Sequence, residues 1–211
     1  KGLGEKVKLF DDGTLNAEGK NVVVIGGGDT AMDCVRTSVR QKAKSVKCLY
    51  RRDRENMPGS AREVGNAIEE GVEFVWLTSP KSFTGIDKGE AVEVNKMKLG
   101  EPDSSGRRRP EIDKGSEYKI PADLVIKSLG FDPENLPVLF NAKELVVSQW
   151  GTLKIDLKSM QTHIDGIFAA GDIVRGASLV VWAIKDGRDA AENINKYLKQ
   201  KSFEKNKTKA A

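Results

Sequence analysis

The run Val22-Val23-Val24-Ile25, driven straight into Gly26-Gly27-Gly28, constrains the fold of this chain more than any other stretch. Four consecutive β-branched residues read as a buried strand, the glycines as a tight turn, and Asp29 or Thr30 as the opening of a helix from Ala31 toward Arg40. That order outlines a phosphate site. Backbone N–H groups at a helix N-terminus point outward with the dipole behind them, and glycines admit a pyrophosphate without a Cβ in its way. In the pattern G-x-G-x-x-G/A the glycines are Gly26 and Gly28, with Gly27 between them, and the third position is Ala31. Glycines also serve any sharp strand-to-helix turn, so the motif by itself does not establish a nucleotide site.

Support comes from the next strand. Ser45–Tyr50 reads as a second strand, parallel to the first because a helix separates them, and it ends in Arg51-Arg52. A dinucleotide fold places there the residue that reads the adenosine ribose: an acid bonds the 2′-hydroxyl of NAD, whereas arginine pairs with the 2′-phosphate of NADP. Arg51 follows Ala31 by twenty residues, the interval such a fold requires. The competing reading is a solvated basic turn balanced by Asp53 and Glu55.

Met57-Pro58-Gly59 then forms a loop, and Ser60-Ala61-Arg62-Glu63 a capping box in which Ser60 bonds forward and Glu63 back. The helix is expected to reach Glu70 and stop at Gly71, with a third strand over Val72–Leu77. The pattern to this point is βαβαβ, a mononucleotide-binding half of a doubly wound sheet.

Beyond it the period changes to strands alone. Lys81–Thr84, Glu90–Leu99 and Tyr118–Ile120 predict a β-meander, with a long turn at Gly100–Gly106 before Arg107-Arg108-Arg109, which reads as a solvated hairpin tip. Asp123–Gly130 is the closing buried strand, and Phe131–Pro137 a crossing linker. Glu144–Ser148 and Thr152–Asp156 flank Gln149-Trp150-Gly151 as a hairpin. A buried strand over Thr162–Asp172 is expected to end in Gly171-Asp172. After the turn Gly176-Ala177-Ser178, a helix runs from about Leu179 to Leu198, and Gly187 inside it marks close packing. His163, the only histidine, has no Ser, Cys or carboxylate constellation beside it and reads as a loop residue.

Composition excludes several classes. With 38% hydrophobic and 31% charged residues the chain is of globular type, and no apolar run approaches the roughly 20 residues of a membrane helix. No signal peptide opens the sequence, so a cytoplasmic location is expected. The excess of 35 basic over 31 acidic residues resides largely in residues 199–211, a Lys-rich segment expected to be a flexible tail rather than a nucleic-acid face. Cys34 and Cys48 form no C-x-x-C, and the helix and strand that carry them make both small core residues; no metal site and no catalytic acid, base or nucleophile is expected.

Taken together, Val24–Cys34, Tyr50-Arg51-Arg52-Asp53, Asn56–Gly59, Glu69–Phe74, Ala122–Ile126 and Gly166–Asp172 carry a resemblance. The chain resembles the pyridine-nucleotide half of the two-dinucleotide flavoprotein reductases, and among them the small-subunit group of bacterial NADPH-dependent glutamate synthases, which includes the matching module of dihydropyrimidine dehydrogenase. The resemblance implies an α/β Rossmann-like three-layer FAD/NAD(P)-binding fold with a parallel sheet plus β-meander, followed by part of a second similar domain. The expected division is residues 1–19 as a connecting segment, 20–130 as the NADPH domain, 131–198 as the C-terminal part of an FAD domain, and 199–211 as the tail.

By the same resemblance Gly26, Gly27, Gly28, Asp29, Thr30 and Ala31 hold the NADPH pyrophosphate, and Arg51 and Arg52 the 2′-phosphate. Gly171 and Asp172 meet the flavin ribityl chain, and Ala177, Ser178 and Leu179 lie near the flavin ring. An earlier FAD-binding glycine motif and the cysteine-rich iron–sulfur region of the family are absent here. The chain is therefore expected to be the C-terminal portion of such a subunit, passing hydride from NADPH to FAD beside a glutamate synthase large subunit, with no nucleic acid or membrane partner. A related reductase with another acceptor, or a non-catalytic nucleotide-binding module, stays open.

Overall fold

The computed structural model describes residues 15–85, 89–102 and 108–210, with side chains as far as Phe203. It divides into two compact units, the first ending at Gly130 and the second beginning at Phe131. The first unit runs β1 (Asn21–Ile25), α1 (Asp29–Arg40), β2 (Ser45–Leu49), α2 (Ala61–Glu69) and β3 (Glu73–Val75), and continues through β4 (Thr78–Thr84), β5 (Ala91–Pro102), β6 (Arg108–Ile112), β7 (Tyr118–Pro121) and β8 (Leu124–Lys127).

β1 explains the layering. It lies inside a parallel sheet of order β3-β2-β1-β8, with Val22–Ile25 facing Val46–Leu49 on one side and Leu124–Lys127 on the other. Side chains alternate across a strand, so Val22 and Val24 pack with Ala31, Met32, Val35, Val64 and Ala67 of the two helices. Val23 and Ile25 pack on the opposite face against Val92, Val94 and Ile120 of the meander. A strand with both faces covered is apolar at every position, which is why β1 is a run rather than an alternation. Each of the buried Val, Ile and Met side chains contributes about 1.5–3 kcal/mol by leaving water. The result is the three-layer α/β arrangement expected from sequence: helices, parallel sheet, antiparallel meander.

Several boundaries differ from expectation. The predicted third strand Val72–Leu77 is cut to Glu73–Val75, because Leu77 adopts φ 49° and turns the chain into β4. The closing strand is likewise shorter, Leu124–Lys127. β5 continues beyond Leu99 to Pro102, pairing with β7 over Ala91–Val94 and with β6 from Met97 onward, so Gly100–Pro102 of the predicted turn are strand, while residues 103–106 of it lie outside the described residues. Arg107 and residues 1–14 lie outside the described residues. The capping box is half formed: the Glu63 N–H donates to Ser60 Oγ, but the Glu63 carboxylate pairs with Arg36 and the Ser60 N–H goes to Asp29.

The second unit contains α3 (Leu136–Leu139), α4 (Asp172–Arg175) and α5 (Val180–Ala210). The predicted hairpin is present in minimal form, a bridge between Val147 and Leu153 with Gly151 at φ 81° in its turn. The predicted strand through Thr162–Asp172 is not formed. The Thr162 N–H bonds Ile167 O and the Ala169 N–H bonds Met160 O, so the segment folds back on itself and only the Gln161–Phe168 bridge results. α5 extends well past Leu198: with no Gly or Pro after Gly187, and Lys185–Asp189 and Glu192–Lys196 pairs along it, the helix carries the backbone through residues 199–210 in place of a flexible tail. Gly187 does not mark close packing, since a Cβ there would meet nothing within 4 Å.

Candidate functional site

The first unit carries a cleft of about 660 Å³ at the C-terminal end of its parallel strands. This is where ligands bind in open α/β sheets, and the volume suits a small-molecule site. It is lined by Ile25–Gly28 and Thr30, by Leu49–Arg52 with Asn56 and Pro58, by Thr78–Pro80 of β4, and by Ser128–Gly130.

The three glycines have separate structural tasks. Gly26 has φ 148°, and a Cβ there would run into the backbone carbonyl of Ser128 just past β8. A Cβ on Gly27 would collide with the ring of Tyr50, which is itself held by a 3.0 Å hydrogen bond from its hydroxyl to Asn56 O. Gly28 differs: φ is −92° and a Cβ would meet nothing within 4 Å, so open space faces the cleft at this residue. Gly28 also caps α1, its carbonyl accepting from Ala31 and Met32, while the N–H groups of Gly28, Asp29 and Thr30 find no acceptor among the described residues. Unpaired donors at the head of a twelve-residue helix, beside a space free of side chains, form a cradle that fits a pyrophosphate.

Asp29 and Ala31 stand behind this cradle. The Asp29 carboxylate accepts the Ser60 N–H at 2.9 Å and so ties the start of α2 to that of α1. Ala31 is fully buried in the helix–sheet core. The loop between β2 and α2 is fixed by a chain of short contacts. Asn56 donates to Asp53 from backbone and side chain, and the Gly59 N–H bonds Gly27 O at 2.8 Å. From this loop Arg51 projects into solvent with no hydrogen bond or ion pair among the described residues. Arg52 is half-buried, its Nε donating to Arg108 O at 3.3 Å. Cys48, beneath the turn, donates to Gly26 O, and burial pushes its thiol up to about 12. It packs rather than reacts.

In the second unit Gly171, with φ 77°, leads into α4, and the Asp172 carboxylate is exposed and unpaired among the described residues. Ala177, Ser178 and Leu179 are exposed at the entrance to α5. Asp186 anchors this corner from within the unit: it is 1% exposed and receives two hydrogen bonds from Arg175, whose guanidinium lies 5.0 Å from the Trp182 ring centre. The Arg175 hydrogen bonds, with help from the Gly171 backbone, hold the Asp186 carboxyl below the usual range.

Sequence reasoning missed Tyr50, Ser128 and Asp186. No local signal marks any of the three: Asp186 stands among Lys185, Arg188 and Asp189, and the partners of Tyr50 and Ser128 are distant in the chain. Among the described residues no cluster of His, Cys, Asp or Glu could hold a metal ion, and no helix is long and apolar enough to cross a membrane.

Comparison with known proteins agrees with this geometry. The family model described as "Pyridine nucleotide-disulphide oxidoreductase" matches residues 3–187. The chain is 60% identical over 200 residues to "Glutamate synthase [NADPH] small chain" of Azospirillum brasilense, covering 95% of this chain and 42% of that protein. It is 42% identical over 185 residues to "NADP(+)-dependent formate dehydrogenase subunit beta" of Moorella thermoacetica, covering 87% of this chain and 26% of that protein. The chain thus spans less than half the length of the curated relatives it matches. Among solved structures, T. acidophilum thioredoxin reductase superposes with a TM-score of 0.70 at 21% identity, over 90% of this chain and 56% of that one. At that identity the likeness concerns the fold.

Proposed function

The chain belongs to the pyridine nucleotide-disulphide oxidoreductase family, and on that premise we propose that it is the NADPH-binding portion of an FAD-dependent oxidoreductase subunit of the glutamate synthase small-chain kind. The observation that carries this reading is the high identity, over nearly the whole chain, to the Azospirillum small chain. The cleft supports it, since it joins a side-chain-free pyrophosphate cradle at Gly28 to an unpaired guanidinium at Arg51.

Each residue then has a defined task. The N–H groups of Gly28, Asp29 and Thr30 take the pyrophosphate, while Gly26, Gly27 and Ala31 hold the turn that presents them. Arg51 and Arg52 take the 2′-phosphate; a charge-assisted contact of this type contributes about 1.5–3 kcal/mol, enough for a tenfold preference over NADH. In the second unit Asp172 offers a free carboxylate to a ribityl hydroxyl, and Ala177, Ser178 and Leu179 lie toward the flavin ring. NADPH, when bound, supplies a hydride to the flavin, chemistry that belongs to the cofactors. The chain's own contribution is to bind, orient and exclude water, and no general acid or base is required. Electrons pass onward to a large subunit that makes glutamate, in the cytoplasm.

A second reading keeps the NADPH site and changes the acceptor. The Moorella formate dehydrogenase subunit supports it, because the same stretch of chain recurs there at 42% identity beside a different named activity. The test is made on the full-length gene product: flavin absorbance, then NADPH oxidation with an artificial acceptor, then identification of the large subunit that co-purifies. A yellow, NADPH-oxidising protein with a glutamate synthase large subunit is expected. A different large subunit favours the second reading, and a colourless, inactive protein a non-catalytic nucleotide-binding module.

A further inference from the structure

β5 and β6 project beyond the meander as a two-stranded ribbon. Only Ala91–Val94 of β5 pair with β7, whereas Met97–Pro102 pair with Ile112–Arg108 and with no third strand among the described residues. Most of the ribbon's positions are exposed or half-exposed, so it adds little to the core, and a two-stranded ribbon by itself is marginal in water. Its contacts with the rest of the unit lead to the nucleotide cleft. At its base the Met97 N–H bonds Leu77 O at 2.7 Å, and the Leu77 N–H bonds Arg52 O at 3.0 Å. Further out, the Arg108 carbonyl accepts from Arg52 Nε. The arginine-bearing end of β2 is therefore held twice, by main chain and by side chain.

Resting on the proposed NADPH reading, we infer that this ribbon is a specificity element: through the Arg108 carbonyl it positions Arg52 for the 2′-phosphate. A guanidinium presents its donors in a rigid fork, so fixing Nε fixes the plane of the terminal N–H groups and leaves them free for phosphate oxygens. Immobilising a flexible side chain before binding removes an ordering cost equal to roughly a 2- to 12-fold change in affinity. Arg51, which has no such tether, supplies charge; Arg52 supplies charge in a set orientation. Arg52 is here a positioning-dependent binding residue, and the Arg108 side chain is not needed.

The experiment measures Kd for 2′,5′-ADP and for 5′-AMP in the full chain, their ratio isolating the 2′-phosphate. Three variants are compared: Arg52→Lys, which keeps the charge and loses the fork; a ribbon in which residues 98–111 are replaced by Asn-Gly, closing Met97 on Ile112; and both together. Each single variant is expected to lose about three- to tenfold of the ratio, with 5′-AMP affinity unchanged, and the double variant to lose no more than either. Arg108→Ala is expected to retain the ratio. Should the shortened ribbon impair folding, a Gly inserted between Arg109 and Pro110 moves the Arg108 carbonyl away while Met97 still faces Ile112, with the same loss expected. An unchanged ratio in the ribbon variants, or losses that add in the double variant, would overturn the inference alone. A ratio near one in the unaltered chain would instead overturn the NADPH reading beneath it.

Discussion

Replacing Gly28 and Gly26 separately by alanine should split the glycine motif into a ligand-facing part and a structural part. At Gly26 a methyl group runs into the Ser128 carbonyl, and the residue sits at φ 148°. Overpacking costs about 1–3 kcal/mol and the unfavourable backbone region about 1–3 kcal/mol, so a loss near 3 kcal/mol is expected. That corresponds to a fall in Tm of about 6–12 °C for a chain of this size. At Gly28 the backbone suits any residue and the added methyl meets open space, but alanine is a poorer N-cap than glycine, so stability should fall by no more than about 1 kcal/mol. On the proposed reading, the same methyl stands where a pyrophosphate would approach the unpaired N–H groups. Losing one charge-assisted hydrogen bond there weakens NADPH binding about tenfold or more. Thermal unfolding paired with a fluorescence titration of NADPH reads both quantities. A Gly28→Ala variant that binds NADPH normally, or a Gly26→Ala variant as stable as the parent, would refute the assignment of these tasks.

Other consequences are accessible to simple assays. Cys48 is fully buried with its thiol pushed up to about 12, whereas Cys34 is half-buried, so alkylation of the folded protein near pH 8 should label Cys34 first and Cys48 only on unfolding. The Glu70 carboxylate, which joins α2 to α1, is held below its ordinary 4.5 first by the Arg36 hydrogen bond. A depressed folded value means its contribution is complete above the ordinary value and lost as pH falls through the folded one. Arg36→Met should therefore lower denaturant midpoints at neutral pH and flatten their decline in acid; an unchanged acid limb would contradict this. Asp186→Asn removes the charge that Arg175 meets at a nearly inaccessible site, and should lower Tm while leaving 2′,5′-ADP affinity unaltered, since the cleft proposed to hold it is lined wholly by the first unit.

Much of the first unit was legible because its strongest elements carry their environment in their own composition. β1 is apolar from Val22 through Ile25 because both faces are covered, and helices between the early strands force parallel pairing. What the sequence concealed depends on partners far along the chain. Gly27 is a glycine because Tyr50 packs on it, and Gly26 because Ser128 does, and neither residue is marked locally. The Ser60 capping box was half correct because Asp29 reaches the same N–H first. In the second unit, Thr162–Asp172 has the composition of a strand, but a ladder needs a neighbour, and its donors close on residues 160–167 instead. Of the residues that line the cleft, the glycine turn and Arg51-Arg52 stand out from spacing; the β4 wall and the ribbon contact to Arg52 do not, because they arise from tertiary pairing.

The central claim is that this cleft selects NADPH through its arginines. It is tested most directly by the ratio of NADH to NADPH dissociation constants in the unaltered protein and in Arg51→Ala. The account predicts a preference for NADPH of at least about tenfold that falls several-fold in Arg51→Ala, with Arg52 retaining the remainder, while NADH affinity stays constant. Equal affinities in the unaltered protein, or a preference unchanged by the substitution, would contradict it.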